Sequence, residues 1–119
     1  MHDVLIENDQ LKWAMKQGSV LKEFVEAPLN FRPTFKFDRG SDSYDTSSKQ
    51  RVPSWTDRIL YVPRGLQCIA YDSDMSLKTS DHRPVYASFF ADIMIDSDKV
   101  ISSNSKPRYT ENSQVCSIM

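Results

Sequence analysis

Two helices are predicted near the N-terminus from the spacing of apolar residues. Apolar side chains repeat at helical intervals over residues 11–15, after Asn8 or Asp9, either of which can cap a helix. Gly18 is placed to end this helix because glycine readily adopts the left-handed conformation of a C-terminal cap. A second short helix is predicted over residues 19–26.

Strands are predicted where large apolar residues alternate with polar ones. Residues 31–37 alternate in this way, so one face can pack while Arg32, Thr34 and Lys36 point away. Further strands are predicted at residues 59–62, 66–71 and 85–94. The segment between residues 38 and 48 is rich in Asp, Ser and Gly and is predicted to be a loop with Tyr44 as its anchor.

Composition narrows the class of protein. The chain has 119 residues, of which 39% are hydrophobic, a length and content typical of one small soluble domain. A net charge of −1 argues against a nucleic-acid partner, because binding to a phosphate backbone needs clustered cations with few carboxylates among them. Cys68 and Cys116 offer neither a disulfide framework nor a metal-ligand spacing, and no apolar run approaches a membrane span.

Charged residues are densest over residues 49–60. Lys49 and Arg51 are two positions apart, so an extended backbone would direct both side chains to one face. Two neighbouring cations repel each other unless an anion lies between them. Pro53 restricts its own backbone and that of Val52, which would hold these cations rigidly. The pattern predicts a phosphate site.

A second charged cluster, Ser80-Asp81-His82-Arg83-Pro84, precedes the last predicted strand. Asp and Arg beside a histidine can orient an imidazole next to an anion. A Ser-Asp-His sequence alone is more often part of an ordinary surface or core, and Trp55 in the first cluster is interpreted as a packing residue. An ordinary ion pair also remains an interpretation of Asp57-Arg58.

The two clusters together resemble a known family. Residues 51–60 resemble the second signature motif of the inositol polyphosphate 5-phosphatases, and residues 78–86 resemble the motif that closes their catalytic domain. The resemblance extends over about residues 9–89, and residues 48–51 with the tail resemble the type IV subgroup. It implies an α/β fold, the C-terminal portion of a deoxyribonuclease-I-like four-layer α/β sandwich that is incomplete in this chain.

The resemblance also implies catalytic roles. His82 would hydrogen-bond the scissile phosphate, Asp57 would hold the other nitrogen of the imidazole, and Asp81 would lie near a Mg²⁺ ion or beside its ligands. Ser80 and Arg58 would support the site, with Arg58 paired to carboxylates rather than to substrate.

Substrate selection is the other implied role. By resemblance, Lys36, Lys49 and Arg51 would bind the ring phosphate next to the scissile one. Phe35 stands where the family commonly has tyrosine, so one substrate hydrogen bond is expected to be missing. The substrate implied is a phosphoinositide lipid, from which the 5-phosphate is removed.

One departure from the family pattern bears on activity. Family members need an upstream metal-binding Glu and Asn and a Trp-x-Gly-Asp-x-Asn motif, and none of these occurs before Pro28. We therefore expect residues 1–96 to be the C-terminal part of a larger catalytic domain, and we expect the chain to be inactive by itself.

The C-terminal residues predict a membrane attachment. Apolar residues become sparse from residue 97, so 97–119 is predicted to be a disordered tail. It ends in Cys116-Ser117-Ile118-Met119, which matches a prenylation box, with methionine favouring farnesyl. We expect a cytoplasmic, peripheral membrane protein, at the Golgi or cilium by family analogy, with no obligate oligomer.

Two alternative functions remain open at this point. One is a non-catalytic remnant that binds headgroups or a protein partner. The other is a metal-dependent nuclease of the same superfamily, which also closes with Asp-His at a strand entrance. The three cations Lys36, Lys49 and Arg51 and the near-neutral charge argue against the nuclease.

Overall fold

The computed structural model describes residues 2–95 and the backbone of a strand at 114–118. Its elements in chain order are α1 (His2–Glu7), α2 (Gln10–Lys16), β1 (Leu66–Ser73), β2 (Val85–Ala91) and β3 (Gln114–Ile118). Among the described residues, neither helix is long and apolar enough to cross a bilayer.

Helix α2 confirms the first predicted helix and its caps. Asp9 is the N-cap, and its Oδ1 accepts a hydrogen bond of 2.8 Å from the backbone N–H of Lys12. Gly18 has a φ of +65°, and its N–H donates to the carbonyl of Met15 at 2.9 Å. Helix α1 was not predicted from the sequence.

The second predicted helix, over residues 19–26, is wrong. Leu21 has a φ of +51°, which interrupts helical geometry. Val25 instead pairs with Tyr61 through two backbone hydrogen bonds of 2.8 and 3.0 Å. A pairing partner distant in sequence therefore decided the conformation here, and the strand predicted at 59–62 is reduced to this bridge.

The sheet is antiparallel, with β2 between β1 and β3. Strands β1 and β2 confirm the corresponding predictions, but β2 ends at Ala91. Ile93 and Met94, which the predicted strand would have included, are 66% and 99% exposed. β1 carries an irregularity between Cys68 and Ala70, and the Cys68 thiol is free and half-buried.

The predicted tail is partly described. Residues 96–113 and 119 lie outside the described residues. Residues 114–118 form β3 and pair with β2, with Phe89 opposite Cys116. At these five positions the backbone differs from the disorder that low apolar content predicted, because β2 offers them an edge to pair with.

The core lies between the N-terminal half and the sheet. Leu29, Phe31 and Trp55 are buried, and the indole N–H of Trp55 donates to the carbonyl of Phe31 at 2.9 Å. The rings of Phe31 and Tyr71 pack edge to face at 5.1 Å. Trp55 thus has the packing role that its sequence position predicted.

A buried ion cluster joins α2 to the sheet. The side chain of Arg58 is 7% exposed and bridges Asp9 at 2.7 Å and Glu26 at 2.6 Å. Tyr71 adds a hydrogen bond of 2.9 Å from its hydroxyl to Glu26, and it accepts one of 3.0 Å from the N–H of Ile59. Arg58 therefore pairs with carboxylates, as the sequence analysis expected.

Candidate functional site

A short extended segment, residues 33–37, brings the two charged clusters together. On one side, Phe35 exchanges two backbone hydrogen bonds with Ser54, at 3.1 and 2.8 Å. On the other side, the N–H of Arg83 donates to Thr34 at 2.8 Å, and that of Phe37 donates to Asp81 at 2.9 Å. Residues 51–60 and 80–84, separated along the chain, therefore flank the same segment.

His82 and Asp57 form a hydrogen-bonded pair at this junction. Nδ1 of His82 lies 2.6 Å from Oδ2 of Asp57, and their side chains are 41% and 43% exposed. Thr56 Oγ1 donates to the same carboxylate at 3.0 Å, and the Phe35 ring packs 4.6 Å from the imidazole. With Nδ1 held by a carboxylate, Nε2 is the ring nitrogen left to meet a ligand.

The turn that carries His82 is held by its own side chains. Ser80 Oγ accepts from the backbone N–H of His82 at 3.1 Å and donates to Asp81 Oδ1 at 3.4 Å. A cavity opens beside this turn, and its lining consists of Asp57, Leu77, Thr79, Ser80, His82, Arg83, Pro84 and Val85. Ser80, His82 and Asp57 thus share one concave surface.

The residues described in the structure do not form a metal centre. Within them, no three His, Cys, Asp or Glu side chains converge as a divalent ion would require. Asp81, the residue implied to lie near the metal, offers one carboxylate there. The described residues therefore do not complete a site for the implied ion, and we assign none of them as its ligand.

Lys36 faces a carboxylate that the sequence analysis overlooked. Its Nζ lies 3.9 Å from Oδ2 of Asp45, whose side chain is 1% exposed. Asp45 also accepts from the backbone N–H groups of Ser47 at 3.0 Å and Arg51 at 2.9 Å. Hydrogen bonds from Ser47 and Arg51 lower the pKa of Asp45 to about 2. The usable signal was an aspartate before Thr-Ser-Ser, a sequence that favours side-chain-capped turns.

The backbone around Lys49 and Arg51 differs from the prediction. Gln50 has a φ of +39°, and its N–H donates to the carbonyl of Ser47 at 3.0 Å, so this segment is a turn. The expectation of an extended backbone was wrong. Both side chains are exposed, and neither makes an ion pair or side-chain hydrogen bond within residues 2–95. Like Lys36, they lie outside the lining of the His82 cavity.

Arg83 belongs to the charged cluster that the sequence analysis named, but its burial was not predicted. It is fully buried, and its guanidinium donates to the carbonyls of Ser80, at 3.0 Å, and Ser41. The guanidinium carbon lies 4.1 Å from the centre of the Phe37 ring, which stacks on Tyr44. The Tyr44 hydroxyl donates to Pro33 at 2.7 Å, so Tyr44 is the loop anchor that was predicted. No local pattern marks a buried arginine, because arginine is mostly a surface residue.

Comparison with known proteins adds a family to this geometry. The model of endonuclease/exonuclease/phosphatase family 2 matches residues 1–88. A polyphosphatidylinositol phosphatase of Saccharomyces cerevisiae is 46% identical over 112 residues, covering 94% of this chain and 10% of that protein. The rat phosphatidylinositol polyphosphate 5-phosphatase type IV is 53% identical over 88 residues, covering 71% of this chain and 14% of that protein. The chain therefore spans a small part of these relatives.

Solved structures agree with the sequence relatives. The inositol polyphosphate 5-phosphatase domain of synaptojanin, in complex with inositol (1,4)-bisphosphate and calcium ion, matches with a TM-score of 0.68 and 53% identity. The match covers 71% of this chain and 25% of that one. A Cimex nitrophorin, solved as a ferrous NO complex, matches with a TM-score of 0.64 and 39% identity, covering 73% and 31% of the two chains. These likenesses confirm the predicted α/β fold class.

Proposed function

The chain belongs to the endonuclease/exonuclease/phosphatase family, among relatives that are inositol polyphosphate 5-phosphatases, and we propose that it serves removal of the 5-phosphate from phosphoinositides. The proposal concerns the part of the active site that these residues form. In this proposal the chain supplies part of the active site of a phosphoric monoester hydrolase. The proposal is preferred here to the headgroup-binding and nuclease alternatives.

The observation that carries the proposal is the hydrogen bond of 2.6 Å between His82 Nδ1 and Asp57 Oδ2 at the edge of a cavity. A carboxylate on Nδ1 fixes the orientation of the imidazole ring and leaves Nε2 facing away from Asp57. In the imidazolium form, Nε2 would donate to an oxygen of the scissile phosphate, where negative charge develops during hydrolysis.

We assign selection of the substrate to three cations that lie outside the lining of this cavity, Lys36, Lys49 and Arg51. Lys36 directly follows Phe35, whose ring packs on His82. The backbone of Lys36 is therefore only one residue away from a residue that contacts the imidazole. Lys49 and Arg51 have free, exposed side chains within the described residues. We assign to these three cations the ring phosphate adjacent to the one that is removed.

A divalent cation completes the proposed reaction. The synaptojanin domain was solved with calcium, which supports dependence on a divalent ion, and Mg²⁺ is the ion we propose. The chemistry that such an ion would supply is neutralisation of the phosphoryl oxygens and assistance to the leaving group. The described residues of this chain do not provide its ligands.

A chimaera tests the proposal. Residues 1–88 would replace the aligned segment of the rat type IV phosphatase, and phosphate release from phosphatidylinositol 4,5-bisphosphate would be measured with Mg²⁺. We expect activity from the chimaera and a loss of about 10²–10⁴-fold in kcat with His82→Ala. His2→Ala, at the other histidine of the chain, is the matched control and should leave kcat unchanged. Full activity with His82→Ala would contradict the proposal.

Membrane attachment through Cys116 is a separate proposal, supported by the terminal tetrapeptide alone. The pairing of β3 with β2 adds a condition, since Cys116 must leave the sheet before a transferase can reach it. Incorporation of labelled farnesyl into the chain, lost with Cys116→Ser and kept with Cys68→Ser, is the expected result. Targeting to Golgi or ciliary membranes, followed with the same two variants, tests the localisation.

A further inference from the structure

The cations assigned to the adjacent phosphate come from two separate segments and repel one another. Lys36 lies in the segment 33–37, whereas Lys49 and Arg51 lie in and beside the turn after the loop. Neither Lys49 nor Arg51 has a side-chain partner within residues 2–95. A phosphate can bind all three cations only if other contacts within the protein fix their backbones before the phosphate binds.

Asp45 contacts both segments. Its backbone N–H donates to the carbonyl of Lys36 at 2.9 Å, and its carboxylate lies 3.9 Å from Nζ of the same lysine. At this distance the carboxylate of Asp45 attracts the ammonium of Lys36 but does not form a close hydrogen bond with it. Lys36 is thus kept near its place and remains able to turn toward an anion.

The same carboxylate closes the turn that carries the other two cations. Oδ1 accepts from the N–H of Ser47 and Oδ2 from the N–H of Arg51, so the chain between them is drawn into a loop. Within that loop Gln50 has a φ of +39°, an unfavourable conformation for a residue with a side chain. The two hydrogen bonds to a buried carboxylate offset that cost.

We propose that Asp45 is the positioning residue that sets specificity for the adjacent phosphate: its buried carboxylate fixes the backbone of Arg51 and keeps the ammonium of Lys36 close to it. The inference rests on the proposed function and deepens it. Asp45 does not touch the substrate. It determines the positions of the cations before a ring phosphate binds, and so it determines which phosphorylated inositol rings bind most tightly.

Asp38 provides a matched control in the same loop. Its carboxylate accepts from the N–H of Thr46 at 3.2 Å and from the hydroxyl of Thr46 at 2.7 Å. It therefore caps the loop much as Asp45 does, but it contacts neither Lys36 nor Arg51. Asp38→Asn and Asp45→Asn remove the same charge from nearly the same place.

Calorimetric titration of the full chain tests the inference, with inositol 1,4-bisphosphate and inositol 1-phosphate as probes at constant salt. The measured quantity is the ratio of the two affinities. We expect a preference for the bisphosphate that Asp45→Asn reduces tenfold or more, because the amide of asparagine cannot replace both accepting oxygens or the charge. Asp38→Asn should change the ratio less than twofold, and Asp45→Glu should restore part of it.

Three other outcomes of this titration would contradict the inference or the proposed function. An unchanged ratio with Asp45→Asn, in a chain that still prefers the bisphosphate, overturns the inference and leaves the proposed function standing. An equal loss of both affinities, together with a lower unfolding temperature, shows a structural role and also overturns it. An unsubstituted chain that does not prefer the bisphosphate overturns both claims about the cation cluster.

Discussion

Two buried arginines divide this molecule into regions of opposite electrostatic design. Arg58 is enclosed by Asp9 and Glu26, at 2.7 and 2.6 Å. Arg83 is more deeply buried, yet its guanidinium meets the carbonyl oxygens of Ser80 and Ser41 and the face of Phe37. One cation has its counter-charge within the fold, and the other has only dipoles and a ring.

The environment of Arg58 makes its charge a permanent part of the scaffold. Burial alone would lower the pKa of Arg58, but the hydrogen bonds of Glu26 and Asp9 raise it overall. Burial would likewise raise the pKa of Asp9, and the hydrogen bond from Arg58 is the main reason that it is lowered. Arg58 therefore has a carboxylate on each side of its guanidinium, so its positive charge is fully countered within the fold.

The environment of Arg83 leaves positive charge beside the cavity. The positive charge of Arg83 contributes to the lowered pKa of Asp42, an exposed carboxylate that accepts a hydrogen bond of 2.6 Å from Lys78. Arg83 also lines the cavity that holds His82. Burial of an arginine therefore does not by itself indicate its role. A fully paired arginine stabilises the fold, whereas an incompletely paired one can attract an anion.

The largest expected effect is at the paired arginine. Arg58→Met leaves Asp9 and Glu26 partly buried without their cation, which should reduce the free energy of unfolding by about 3–5 kcal/mol. Urea denaturation measures the change. Arg32→Met removes an exposed ion pair with Asp42 and should cost less than about 1 kcal/mol. A change within 1 kcal/mol at Arg58 would mean that its region does not hold the fold.

Arg83→Met should cost less stability and more binding. Only carbonyl oxygens lose their donor, so the expected destabilisation is about 1–3 kcal/mol. The affinity of the full chain for inorganic phosphate should fall, whereas Arg83→Lys, which keeps the charge, should retain more of it. Isothermal titration gives both affinities. If Arg83→Met binds phosphate as tightly as the unsubstituted chain, the contrast between the two arginines is wrong.

The third prediction concerns pH and the Arg58 cluster. Burial is the main cause that raises the pKa of Tyr71 to about 12. The native state therefore keeps a proton that the unfolded chain loses near pH 10, and stability should fall between about pH 10 and 12. Tyr71→Phe should remove this alkaline loss and lower stability by about 1–2 kcal/mol at neutral pH, because two hydrogen bonds disappear.

The measurement for Tyr71 is the urea midpoint at a series of alkaline pH values. Tyr86→Phe is the control, because Tyr86 lies on β2 and makes no contact with Glu26 among the described hydrogen bonds. It should show the same alkaline loss as the unsubstituted chain. An identical pH profile for Tyr71→Phe would show that the tyrosine does not contribute to the cluster's linkage to pH.

Local sequence signals predicted the parts of the fold that local interactions determine. The cap at Asp9 and the stop at Gly18 gave α2, and alternation gave β1 and most of β2. The predicted helix over residues 19–26 failed because Val25 pairs with Tyr61, a contact that periodicity cannot reveal. Pairings between distant segments decided the remainder of the fold.

The candidate site divides in the same way. The family resemblance placed Asp57 beside His82, and the structure shows that contact. It did not indicate Asp45 or the burial of Arg83, because both depend on segments that meet only in the folded chain. The extended backbone assumed at Lys49 was wrong for a related reason, since the turn there depends on the carboxylate of Asp45.

The smallest expected effect on stability is at the site itself, and it sharpens the comparison most. Asp57 and His82 are 43% and 41% exposed, so Asp57→Asn should change the free energy of unfolding by less than about 1 kcal/mol. The same substitution in the chimaera should lower kcat by about 10²-fold or more, because the imidazole loses the carboxylate that orients it. Asp72→Asn, at an exposed carboxylate on β1, is the control for both measurements. If Asp57→Asn destabilised the chain as much as Arg58→Met, the pair would belong to the scaffold, and its position beside the cavity would no longer argue for catalysis.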